Sequence, residues 1–406
     1  MNFLIYPALL ILMLTLLALL ESIQSERRIR RLDTVSRMTE AEPPLVSVII
    51  PALNEEEKIE AALASMLTLD YPRLEIIVLN DRSSDATPDI LERMAGQHPQ
   101  LRIIHIRELP KGWLGKNHAL HLGAARAEGE FLLFTDADVQ MAPDTVNRAV
   151  ARMLEKKLDH LCLTFHPAMP DSLLSMLVVD SLSSLLTMFK PWLISKPNSR
   201  YFIGIGAFNL VYADTYRRFG GHRPIRLCPV DDILLGRLVK ESGGSQECLN
   251  GCNFVTVPWY NSVGEMADGL RKNILAVIDY RLDLLVLATL VFLCCNILPL
   301  WGLFFTDGVV RLLCGCIVAV TGLTLLISTR AFGISPSCLT WFPLTPYIKL
   351  YMIWRAALST LIQGGIDWRG TFYPLDELKR HMVPVWPWKK LRKDFWEAGK
   401  KGNRHD

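Results

Sequence analysis

The chain offers its chemistry in pairs of carboxylates. The run FLLFTDADVQ, residues 131–140, is apolar until it delivers Asp136 and Asp138, with only Ala137 between them. In an extended segment, residues two apart point to the same side, so both carboxylates can meet one hard divalent cation. Mg2+ or Mn2+ takes oxygen ligands and shares its shell with substrate phosphates. A strand ending in a solvated acidic turn is the plainer alternative. A second pair, Asp231 and Asp232 in PVDDILLGRL, opens a helical pattern. Asp is favoured at a helix N-cap, so the pair could simply cap. Adjacent carboxylates also raise the pKa of one of them, which suits a general base acting near neutral pH. Lys116 opens GKNHALHLGAARA, where its charge and the helix N-terminus both favour phosphates; a surface lysine is the alternative.

These residues need elements to hold them. PLVSVIIPALNEEEKIEAALASML reads as a buried β-branched strand, a turn at residues 51–54, and a helix with acidic residues in its first turn. LEIIVLNDRSSDATPDIL gives a second strand, then Asp81, then a Ser/Asp-rich turn opening another helix. LRIIHI and GKNHALHLGAARA supply a third strand and helix, and FLLF a fourth strand. Alternating strands and helices predict an α/β fold with a parallel, doubly wound sheet. Ligands bind such sheets beyond the carboxyl ends of the strands, where Asn54, Asp81 and the Asp136/Asp138 pair all fall.

The pieces VSVIIPALNEE, VLNDRSSDAT, GKNHAL and TDADV, followed by PVDDILLGRLVKESG, stand in the order seen in family 2 glycosyltransferases, which the chain resembles over residues 46–273. The resemblance implies a GT-A nucleotide-sugar-binding (Rossmann-like) domain with N-terminal and C-terminal transmembrane helices. With its closing GGIDWRGTFYP, the chain looks most like membrane-bound members that glycosylate lipids, the ceramide glucosyltransferase-like and hopanoid- or carotenoid-associated enzymes. Carried over residue by residue, the resemblance implies a nucleobase pocket of Pro51, Asn54 and Asp81, with Lys116 near the nucleotide. Asp138 becomes the expected direct metal ligand, and Asp136 contacts ribose or completes the shell. Asp232, following the acidic Asp231, takes the general base's position. A base opposite the leaving group implies one in-line displacement with inversion. The stretch around Gly204, Gly206 and Gly220/Gly221 would line the acceptor side. Processive synthases carry a Q/RxxRW motif, and no such string occurs here. Its nearest counterpart is GLRKN, where Arg271 and Lys272 could clamp the diphosphate. Without the motif's Trp, which serves processive enzymes as a sugar platform, transfer of a single sugar is expected. Trp368, Arg369 and Tyr373 either close the site near the membrane or act as a plain interfacial anchor.

Half of the residues are hydrophobic and the formal net charge is only +3, so the whole-chain balance implies a membrane enzyme with no nucleic-acid partner. Nine cysteines show no metal-ligand spacing and are expected as free thiols in a reducing cytosol. Residues 3–20 form an uncharged apolar run long enough to cross a bilayer. Basic residues follow this run and no cleavage site appears, which favours an uncleaved anchor over a signal peptide. Runs 284–305 and 309–329 read as a transmembrane hairpin. Residues 339–362, with Lys349 and Arg355, read as an interfacial or re-entrant helix rather than a fourth span. Residues 173–194 read either as a core helix or as one resting on the membrane.

The expected organisation is an anchor at 1–22, a basic linker at 23–44, a cytoplasmic catalytic domain at 45–280, a transmembrane hairpin at 281–330, an interfacial or re-entrant segment at 331–375 and a basic cytoplasmic tail at 376–406. The expected activity is transfer of one sugar, with inversion, from a nucleoside diphosphate sugar to a membrane lipid, with Mg2+ or Mn2+ as cofactor and a UDP-sugar as donor. The protein would be a multi-pass protein of the cell membrane. The alternatives are a processive polysaccharide synthase and a catalytically inactive membrane scaffold.

Overall fold

The computed structural model describes residues 2–38, 42–196 and 198–386. Residues 387–406 of the expected basic tail lie outside the described residues. The chain forms two units that interleave along the sequence. One takes Ile29–His166, Pro191–Trp259 and Gly365–Asp406; the other takes Met1–Arg28, Pro167–Lys190 and Tyr260–Gly364.

The first unit is built on sheets. Its strands are β1 (Val46–Ala52), β2 (Leu74–Asp81), β3 (Leu101–Ile106), β4 (Phe131–Phe134), β5 (Gln140–Met141), β6 (His160–Thr164), β7 (His166–Pro167), β8 (Asn209–Tyr212), β9 (Gln246–Asn250), β10 (Val255–Val257), β11 (Gly365–Trp368) and β12 (Thr371–Pro374). Seven of them form the main sheet in the order β3-β2-β1-β4-β8-β6-β9, while β5, β10 and β7 form a small sheet and β11 and β12 a hairpin. Every residue of β1 is buried, as a central strand covered on both faces must be. β1 to β4 run parallel, in line with the sequence expectation. β8 does not: it lies antiparallel to both β4 and β6, so the sheet is mixed. Its direction is set by the end of the sheet at which the chain re-enters, which no local pattern encodes.

β1 also extends through Pro51, which the sequence pattern placed in a turn. A proline inside a central strand is tolerated only where no ladder bond is needed. β1 pairs with β2 along its whole length but with β4 only as far as Ile49 opposite Phe134. Thr135 N–H donates to Ile49 O, and the next bond would require an N–H that Pro51 lacks. Pro51 thereby ends the β1–β4 ladder and frees the chain after Phe134 to turn.

The second unit is helical. Four of its stretches are long and apolar enough to cross a membrane: Ile5–Arg28, Ser172–Leu193, Leu282–Phe305 and Gly308–Ala331. Sequence patterning counted three of these and left the Ser172 helix open. The first helix ends at Arg28, inside the stretch expected to be linker. Leu282–Phe305 is interrupted by a π-helical turn at Leu293–Ile297, just before Pro299. Pro299 has no N–H for a regular helical bond, and a wider turn accommodates that defect. Thr345–Gln363, with Lys349 and Arg355, is not among the four spans. Side chains tie these helices together: Ser328 Oγ donates to Ser183 Oγ at 2.9 Å, and Lys349 Nζ meets Asp180 Oδ2 at 3.1 Å.

Candidate active site

The loops after β1 and β2 are knitted by the residues that make the two motifs recognisable. Asn54 Oδ1 accepts from Ser84 N–H at 2.8 Å, and Asn54 N–H donates to Ser83 Oγ at 3.1 Å. Glu55 N–H donates to Thr87 Oγ1 at 2.8 Å, and Glu56 Oε2 accepts from Ala86 N–H at 2.8 Å. Asn54 has φ of 53° and Arg82 of 62°. Such left-handed backbone costs energy in a non-glycine residue and clusters at functional sites. Asp81 is fully buried at the end of β2. Both of its oxygens accept from Arg82, at 2.8 Å from Nε and 3.2 Å from Nη2. Arg82 is thus the partner that the sequence motif left unassigned.

β4 stops at Phe134, so Asp136 and Asp138 sit in the following turn and not in an extended strand. The alternation expected of them is replaced by divergence onto two lysines. Asp136 Oδ1 lies 2.7 Å from Lys116 Nζ, and Asp138 Oδ2 lies 3.9 Å from Lys58 Nζ. Burial pushes the Asp138 carboxyl up to about 6, with the Asp136 charge adding to the rise. Glu55, at the end of β1, is pushed up to about 7 by burial first and then by Asp138. Its place in an acidic run gave no sign that it would be partly buried.

Lys116 opens the helix Gly115–Arg126, as expected. Its ammonium also stands 3.7 Å from Asp231 Oδ2. Burial works against that charge, but Asp136, Asp231 and Asp232 outweigh it and hold the lysine protonated. Asp231 and Asp232 open the helix Asp231–Glu241, and neither is its N-cap, a place held by Val230. Asp232 Oδ2 accepts from Gly206 N–H at 3.0 Å and Oδ1 from Ile233 N–H at 2.8 Å. Burial raises the Asp232 pKa against the opposing Lys116 charge. A Cβ on Gly206 would stand 2.7 Å from Asp136 Oδ2 and 3.4 Å from Asp232 Oδ2, so only glycine lets this backbone pass between the two carboxylates. Lys116, Asp136, Gly206, Asp231 and Asp232 line one small cavity together with His222.

The structure therefore brings Lys116, Asp136, Asp231 and Asp232 together, with Asp138 in the same turn as Asp136. Pro51, Asn54 and Asp81 stand at the neighbouring strand ends. Arg271 and Lys272 belong to the helical unit, where Arg271 Nη2 donates to Gln363 Oε1 at 2.8 Å. Among the described residues no group of three His, Cys, Asp or Glu side chains forms a ready metal cage. Mg2+ does not need one, since it binds through one or two carboxylates and completes its shell with water and phosphate. Asp136 and Asp138 are oxygen donors of the kind such an ion takes, and here each carboxylate faces a lysine.

Residues 47–214 match the family described as Glycosyl transferase family 2. Over 99 residues the chain is 43% identical to a probable glycosyltransferase, YdaM, of Bacillus subtilis, covering 24% of this chain and 23% of that protein. It is 34% identical over 109 residues to the beta-monoglucosyldiacylglycerol synthase of Synechocystis sp., covering 26% and 22%. The match thus spans under a quarter of the length of these curated relatives. Among solved structures, the mannosyltransferase PcManGT of Pyrobaculum calidifontis, in complex with GDP-Man and Mn2+, superposes with a TM-score of 0.50 at 19% identity, covering 88% of this chain and 99% of that one. At that identity the likeness is one of fold.

Proposed function

Because residues 47–214 match glycosyl transferase family 2, we propose that the protein moves one sugar from a nucleoside diphosphate sugar to a membrane lipid, with inversion. The carrying observation is a single lysine, Lys116, shared by Asp136 and Asp231 at 2.7 and 3.7 Å, in a cavity also lined by Asp232. Such a site separates two tasks. On the donor side, Lys116 and the helix N-terminus it opens favour the diphosphate, whose negative charge grows as it leaves. A Mg2+ or Mn2+ ion held by Asp138, with Asp136 completing the shell, would supply Lewis-acid stabilisation of that charge. Asp81, Asn54 and Pro51 border the nucleobase end. On the acceptor side, Asp232 takes the proton of the attacking hydroxyl. The N–H groups of Gly206 and Ile233 fix its orientation, and burial makes it a stronger base than an exposed carboxylate. Displacement from the face opposite the diphosphate gives inversion, so an α-linked donor yields a β-glycoside.

The lipid acceptor is supported by the four apolar helices and by the kinship with a synthase whose name specifies a glucosyldiacylglycerol. A UDP-sugar is the proposed donor, and the cytoplasmic face, where nucleotide sugars are made, the proposed place of the catalytic unit. Membranes carrying the protein, incubated with labelled UDP- and GDP-sugars and then extracted into organic solvent, test this directly. One labelled lipid should form, and it should vanish with excess chelator or in Asp138→Asn. Label retained in a water-soluble polymer would overturn the single-transfer reading. Full turnover in chelator would overturn the metal role.

A further inference from the structure

The hairpin near the end of the described chain carries an arginine, Arg369, that the site built so far does not use. β11 and β12 pair from Gly365 opposite Pro374 to Trp368 opposite Thr371, leaving Arg369 and Gly370 as a two-residue turn. Their φ angles are 52° and 70°. Positive φ at both central positions is the mark of a type I′ turn, which favours Asn-Gly. Arginine gains nothing locally from this backbone and is strained by its Cβ.

The turn is held at the ends of β1 and β2. Arg82 Nη1 donates to Thr371 Oγ1 at 3.3 Å while the rest of its guanidinium engages Asp81. Arg82 is thereby committed. Arg369 is not: its Nη1 is buried and has no hydrogen-bond acceptor among the described residues. Its charge acts on Glu55, which also feels Asp136 and Asp138. A buried guanidinium N–H without an acceptor is costly, and the cost disappears when a ligand supplies oxygen. The planar guanidinium fork matches phosphate oxygens in particular. The acidic turn has a counter-ion of its own in Lys58, which stands 3.9 Å from Asp138.

We infer that Arg369 is a donor-binding residue, with the strained hairpin turn presenting its guanidinium to the diphosphate of the nucleotide sugar. The inference rests on the glycosyltransferase reading above. It gives the diphosphate a cation from the sheet unit's own hairpin, the task that sequence resemblance laid on Arg271 and Lys272.

Arg369→Asn separates binding from folding, because Asn-Gly is the sequence the turn prefers. Full-length protein in detergent with Mn2+ is titrated calorimetrically with UDP, GDP, CDP and ADP, and with the corresponding nucleosides. The variant should melt no lower than the wild type. It should lose at least tenfold in affinity for the preferred nucleoside diphosphate while binding the nucleoside unchanged. Arg369→Lys, which keeps the charge without the fork, should fall between. Equal diphosphate affinity in wild type and Arg369→Asn would overturn the role of Arg369 alone. A wild type that binds none of the nucleoside diphosphates would overturn the donor reading and this inference with it.

Discussion

Two lysine–aspartate pairs, one in each unit, have similar geometry and different surroundings. Lys116 and Asp136 lie 2.7 Å apart, Lys349 and Asp180 3.1 Å, and both lysine side chains are 13% exposed. Lys349 has one carboxylate to neutralise. Its other contacts include the Ser184 hydroxyl at 3.1 Å, the Asp180 carbonyl at 3.5 Å and the face of Phe292 at 5.8 Å. Lys116 faces Asp136, Asp231 and Asp232 together. Asp138 and Glu55 add further negative charge nearby, against the ammonium of Lys58 and the guanidinium of Arg369. Distance therefore says little about purpose here, whereas local charge balance says much. A balanced pair joins helices, while a site with surplus negative charge is prepared for a cation and for proton transfer.

The contrast breaks most visibly on substitution. Asp232→Asn should lower turnover by about 10²–10⁴-fold, the range for a lost general base, with nucleoside diphosphate affinity unchanged. If affinity drops instead and turnover per bound donor survives, Asp232 belongs to the donor pocket. On the helical side, Lys349→Met should leave turnover per folded molecule within about twofold. It should cost about 1–2 kcal/mol of stability, because it strands a partly buried Asp180. Lys349→Met with Asp180→Leu should recover most of that loss in a thermal melt. A large fall in turnover for the double variant would show that this pair also serves the chemistry.

A further effect concerns a buried group that carries no charge at all. His160 is fully buried with Nε2 2.5 Å from Asn209 Oδ1, and burial pushes its pKa down to about 4. Burial lowers His222 in the same direction. The unfolded chain, with histidine near 6.5, takes up these protons first as pH falls. The stabilisation is complete above about 6.5 and is lost on acidification toward 4, by roughly 3 kcal/mol at most for His160. Melting temperature measured across that interval should decline with falling pH, and less steeply in His160→Gln. A wild-type profile that stays flat would remove histidine burial from the account.

The strands and the residues at their ends were legible because buried β-branched runs bounded by turn residues announce themselves locally. Asp81, Lys116 and the two aspartate pairs stand out for that reason. What escaped was set by distant parts of the chain. Pro51 reads as a turn residue; its actual effect, ending the β1–β4 ladder, appears only once β4 is known to lie beside β1. The reversal of β8 depends on where the chain returns after its excursion into the helical unit. The partial burial of Glu55 and the bond from Arg82 to Thr371 likewise follow from packing between segments far apart in the chain.

The interleaving of the two units has a consequence for topology that reduces to parity. β6 precedes the Ser172–Phe189 helix, β8 follows it, and the two strands are hydrogen-bonded neighbours. One crossing of a bilayer between them would put adjacent strands of one sheet on opposite faces of the membrane. The number of crossings in that excursion must be even, and a single helix can then make none. Length and composition alone would have counted it as a span. The excursion from Tyr260 to Gly364 likewise starts and ends in the sheet unit, since Thr371 is bonded to Arg82. Its helices Leu282–Phe305 and Gly308–Ala331 can cross as a pair, and Thr345–Gln363 must then stay on the side from which the pair set out. A chain that threads one folded unit three times thus makes its membrane count a matter of odd and even, whatever the hydropathy of each helix.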